Sequence, residues 1–280
     1  MASDLTGDKP RELARPGAAA AERPPPPSLQ SADSHRTRFR IVYALLALAV
    51  TASLVGVVVF ALNSVDPAPK WSSWKPSGGG LGAAQQIAAR VSGTYHLRGG
   101  TQLVDVFPSA PSFSADKKTV PISFVALRGA RGQIDEIHGV SPTSSVWYSL
   151  CGLGPPCSIP TGTPSLNRGA LVRREILELA LYTFKYVEGV KHVVAFMPPR
   201  NAKSSPVVVY LQKGDVENQL KRPLTSTLPA KVPFPDTLTA RDLETIDATT
   251  KPHLFSIYDI AHTQQGAWVL ALAPILRGTP

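Results

Sequence analysis

The best local cluster of acid and imidazole groups is Asp135, Glu136 and His138, on a segment bounded by Gly132 and Gly139. A carboxylate two or three positions from a histidine can orient the ring and let it serve as a general base. Asp135 and His138 are therefore the candidate catalytic residues, weighed against the plainer reading of a solvated surface cluster. Asp259 and His262 form a second pair at the mouth of a hairpin, where an Asp commonly serves the turn itself. His192 alternates with Val194 and Phe196, which places it on a buried strand face with a backbone partner. The remaining histidines are His35, His96 and His253, and no two of the six stand at metal-ligand spacing. The sequence holds no Gly-rich phosphate loop, Gly-x-Ser-x-Gly elbow, His-Glu-x-x-His run or calcium loop. It names no cofactor and no metal, and catalysis is the alternative rather than the leading expectation.

Two cysteines occur, Cys151 and Cys157. Between them Gly152, Gly154, Pro155 and Pro156 favour a tight reversal that brings the sulfurs together. A closed loop of about seven residues contributes roughly 2.4 kcal/mol in the chain-entropy estimate. The spacing is not Cys-x-x-Cys, and no histidine stands close by to complete a zinc site. A structural disulfide is expected, which implies an oxidising compartment.

These groups must be positioned by regular elements. Val172, Ile176, Leu179, Thr183, Tyr186 and Val190 recur at helical spacing and predict a long helix over 168–188, capped by Asn167 and ended by Gly189. Arg174, Glu178, Lys185 and Glu188 mark its wet face. Shorter helices are expected over 82–92, 214–221 and 239–247, the last opened by the cap-like pair Thr239 and Asp242. Strands are read at 102–107, 120–128 and 145–150. Two hairpins follow, 192–197 with 207–211 and 254–260 with 267–273, each closed by a polar loop. Two hairpins and one long helix predict an α+β domain, an antiparallel sheet covered by helices on one face. The aromatic residues Trp147, Tyr148, Tyr182, Phe184, Tyr186 and Tyr258 fall inside these elements and are assigned to the core.

A membrane segment precedes the domain. Ile41 to Leu62 contain no charge, no proline and one glycine, a length that suits the roughly 20 apolar residues a spanning helix needs. A cleaved signal would have a shorter apolar stretch nearer the N-terminus, so a retained anchor at 39–62 is expected. Arg36, Arg38 and Arg40 crowd its N-terminal flank, whereas Asp66 alone is charged over 63–69. The positive-inside rule then places the N-terminus in the cytoplasm and the C-terminal portion outside. Residues 1–38 read as a disordered Pro-rich tail and 63–80 as a Pro/Gly linker, leaving 81–280 as one exported domain.

The net charge is +9, with 22 Lys/Arg against 15 Asp/Glu beyond Leu62. Basic pairs are scattered rather than gathered in a stripe, which argues for a solvated surface and against nucleic-acid binding. Trp71, Trp74, Lys75 and Pro76, then Gln86-Ile87-Ala88 and Gly100-Thr101-Gln102-Leu103-Val104, resemble a pattern of uncharacterised actinobacterial signal-anchored, single-pass membrane proteins. The likeness covers mainly residues 36–110. It implies the same plan of tail, anchor and exported α+β domain, and it supplies no catalytic residues.

The expected function is a non-enzymatic binding or scaffolding module of the cell envelope. Its partners would be membrane lipid through residues 41–62 and an envelope protein or anionic polymer. The alternatives are an extracytoplasmic hydrolase or transferase acting on envelope material, and an accessory subunit of an export or division complex.

Overall fold

The computed structural model describes residues 32–62, 70–115, 118–129, 132–153, 157, 159, 162–199 and 206–275. Two units result, divided between Pro67 and Ala68. The first contains α1 (Ala32–Leu62), within which Arg38–Val58 is long and apolar enough to cross a membrane. Its 31 residues rise about 46 Å at 1.5 Å each, more than the roughly 30 Å of a hydrocarbon core. Thr51 and Ser53 donate their hydroxyls to the carbonyls of Ala47 and Ala49, so neither polar group requires a partner outside the helix. The helix begins at Ala32, so the last residues of the expected disordered tail, 32–38, are helical; residues 1–31 of that tail lie outside the described residues.

The second unit is α+β, and among the described residues nine strands form one sheet. In chain order they are β1 (Asp105–Ser109), β2 (Ser112–Ala115), β3 (Lys118–Arg128), β4 (Ile134–Gly139), β5 (Ser145–Cys151), β6 (His192–Phe196), β7 (Val207–Gln212), β8 (Leu254–His262) and β9 (Trp268–Pro274). The spatial order is β1-β5-β6-β7-β8-β9-β3-β2, with β4 also paired to β3. Both expected hairpins form, β6–β7 and β8–β9. Wholly antiparallel pairing does not: β5–β6 and β3–β9 are parallel. The reason lies in the connections, since the long helix returns the chain to the same end of the sheet before β6 begins, as a parallel crossover requires.

The helices are α2 (Gly80–Ser92), α3 (Leu166–Tyr186), α4 (Glu217–Lys221) and α5 (Ala240–Thr250). Thr239 and Asp242 form the reciprocal capping box expected at the start of α5. For α3 the cap is Ser165, not Asn167, and the helix stops at Tyr186, before Gly189. Over 213–221 the expected helix is a 3-10 turn followed by the single short α4.

The central strands are buried on both faces. Val193 and Ala195 of β6 face the helical layer, with Val146, Tyr148 and Leu150 of β5 and Val209 and Leu211 of β7. Val194, Trp147, Val208 and Tyr210 face the other way, into a second core shared with β3, β8 and β9. Phe113 of β2 lies 6.5 Å from Phe196 of β6, although four strands separate β2 from β6 along the sheet. The sheet therefore curls into a barrel-like form and covers its own second face, where a one-sided helical cover was expected.

The packed unit also reaches back before residue 81. Trp71 and Trp74 stand edge-on to Tyr182 of α3, and the Leu224 amide donates to the Trp71 carbonyl. Helix α3 has no wet face along its middle. Arg174 and Glu175 are buried and Glu178 is nearly so, because α2, α5 and the segment near Pro229 cover that side.

Candidate functional site

The expected acid–histidine pair is separated by strand geometry. Residues 135–138 lie on β4, whose side chains alternate, so Glu136 shares a face with His138 and Asp135 does not. His138 Nε2 is 2.9 Å from a Glu136 carboxylate oxygen, and Asp135 sits instead against Gly129. Asp259 accepts from the Ile260 amide while His262 packs edge-on to Trp268 at 4.0 Å, so that pair also divides. Among the described residues no group of three His, Cys, Asp or Glu could hold a metal ion.

The curl of the sheet brings His138 to the end of β6 and β7, which sequence spacing does not show. Its ring lies 5.5 Å from that of His192 and 5.7 Å from that of Tyr210. His192 is buried as expected, but its partner is a side chain: the Tyr210 hydroxyl lies 2.9 Å from His192 Nδ1. Burial pushes the Tyr210 phenol up, with Asp215 and Glu136 adding to the effect, so the phenol stays protonated and donates. Burial likewise pushes His192 below its ordinary range, helped by His138 and Lys191 and opposed by Asp215. A neutral imidazole fixed on a neutral phenol is a structural hydrogen bond rather than a general base primed at neutral pH.

A pH effect follows from that burial. The folded state holds His192 less protonated than the unfolded chain does, so the unfolded chain takes up the extra proton as pH falls below about 6.5. Stability should therefore drop between about pH 7 and pH 5, and His192→Gln should flatten that slope. Urea midpoints across this range check it; an unchanged slope in the variant would assign the effect elsewhere.

A concave feature lies at the opposite end of β6. Strands β5 and β6 run parallel, and their C-terminal ends, Gly152-Leu153 and Met197-Pro198-Pro199, face the first turn of α3 across a cleft of about 560 Å³. Crevices beyond the carboxyl ends of parallel strands are where such sheets open to ligands. The volume is that of a small-molecule site. Val104, Val172, Val207, Leu254 and Ile275 supply apolar walls, and Leu166, 86% exposed, stands at the lip. Arg168, Arg173 and Lys251 bring positive charge to the same lining. Arg173 and Lys251 both pair with Asp247 of α5, whereas the Arg168 guanidinium, among the described residues, donates only to the Leu103 carbonyl, at 2.9 Å. Cys151 and Cys157 are disulfide-bonded, with Cα atoms 5.3 Å apart, which ties down the chain leaving β5 beside this cleft. Gly152 is needed here, since a Cβ would stand 3.0 Å from Pro198.

None of the cleft residues belonged to the sequence-derived candidates except through the cysteines that flank it. The one usable signal was the Gly/Pro-rich reversal after β5. Fold and site together define an α+β domain with a curled mixed sheet and an apolar cleft, in a chain that also carries one membrane-length helix. Comparison with protein-family models, curated proteins and solved structures finds no match to this chain.

Proposed function

We propose that the chain is a membrane-anchored binding module of the cell envelope, with α1 as the anchor and the cleft between β5, β6 and α3 as its binding site for an apolar ligand. The observation that carries this reading is the cleft itself, apolar-walled and open beyond the C-terminal ends of a parallel strand pair. The tether supports it, because confining the domain near a bilayer raises the effective concentration of any membrane-derived ligand. Arg36, Arg38 and Arg40 favour a cytoplasmic N-terminus, and the Cys151–Cys157 disulfide suits a domain outside.

Full-length protein in lipid nanodiscs, irradiated with a photoreactive methyl hexadecanoate, tests the binding site. Adducts should map to Met197, Val172 and Leu254. Gly169 lines the cleft, and a Cβ there meets nothing within 4 Å, so Gly169→Trp is the variant chosen to fill the space. That variant should cut cleft labelling about tenfold, the effect of losing the burial of two methylenes. Labelling confined to α1 would refute the reading. The placement outside is tested separately, by alkylating thiols in intact cells before non-reducing mass analysis. No free thiol is expected, and two free thiols would oppose it.

A further inference from the structure

Resting on that reading, we infer that the ligand is a single-chain lipid anion, its acyl chain in the apolar cleft and its anionic head on Arg168. Three independent observations converge on this residue. Arg168 lines the cleft yet is only 7% exposed, and among the described residues no carboxylate pairs with it. Its guanidinium donates to one backbone carbonyl and retains donors for a carboxylate or phosphate.

The second observation is the position of Arg168 in its helix. Arg168 stands in the first turn of α3, which has no acidic residue. The partial positive charge of a helix N-terminus favours anions and opposes a cation, so the arrangement gains from an added negative group. Ser165 caps only the Arg168 amide, and the amides of Leu166 and Asn167 have no intrahelical acceptor.

The third is chemical contrast across a short distance. The head site is cationic, while the walls beside it, including Val172, Met197 and Leu254, are apolar. A free phosphate would leave those walls wet, and a neutral hydrocarbon would leave Arg168 unpaired. An acyl anion satisfies both ends.

The test is displacement of the photoreactive ester from full-length protein in nanodiscs by hexadecanoate, by its methyl ester, or by an apolar peptide with a free C-terminal carboxylate. Hexadecanoate should compete about tenfold to hundredfold better than the ester, the scale of a charge-assisted hydrogen bond. Arg168→Met should abolish that preference, bringing acid and ester to equal competition; if it does not fold, the wild-type ratio decides alone. Equal competition by acid and ester would overturn the inference and leave the apolar cleft standing. A peptide that competes better than the acid would overturn the lipid occupant. If no probe reaches the cleft, the binding reading itself fails.

Discussion

Replacing Arg174 by Ala should lower the unfolding free energy by about 3–5 kcal/mol, the usual cost of removing one member of a buried charged group. Arg174 is 1% exposed. Its guanidinium donates to the Tyr95 hydroxyl and, at 2.6 Å, to the Pro229 carbonyl, and it stands 3.5 Å from Glu178. Tyr95 in turn donates to Glu178 at 2.7 Å. One side chain thus ties α3 to the end of α2 and to the segment before α5. Removing it takes a cation away from Glu178, a carboxylate whose ionised form burial already disfavours. Denaturant unfolding of the folded variant measures the loss; a change under about 1 kcal/mol would mean water replaces the guanidinium, contrary to its burial.

Glu175→Gln should act in the opposite direction, raising stability near neutral pH by about 1–3 kcal/mol, the range for relieving a buried group left unsatisfied. Glu175 is fully buried and neither carboxylate oxygen has a hydrogen-bond partner among the described residues. Burial, and next the Glu178 charge, push its carboxyl well above the usual range. The folded state therefore keeps a proton that the unfolded chain releases above about pH 4.3. Its cost is absent in acid and grows as pH rises toward the folded-state value. The gain from Gln should accordingly be small at pH 4 and full at pH 8, as urea midpoints at both will show. A uniform gain at both would trace the effect to packing rather than to charge.

Both residues show where sequence reading stops. Arg174 and Glu178 stand opposite the apolar stripe of α3, and in a helix packed on one side that face is wet. Here α2 and the 223–238 segment cover it, and both lie far away in sequence. His138 gives the same lesson. Spacing offers it Asp135, alternation gives it Glu136, and the curl of the sheet adds His192 and Tyr210 from strands more than fifty residues on.

The apolar helix, the α+β class, both hairpins, the α5 capping box and the cysteine pair were all legible, because each depends on residues close together in the chain. Turn chemistry, helical period and uninterrupted hydropathy are local quantities. The cleft was not legible, since its walls come from elements far apart in the chain. The sequence by itself determined the long helix, the two hairpins and the α5 cap, and that one helix has the length and composition of a membrane span, whereas β2 and β4 were not read from it. The tertiary structure alone decided which polar groups are buried without a partner, because that depends on what packs over them.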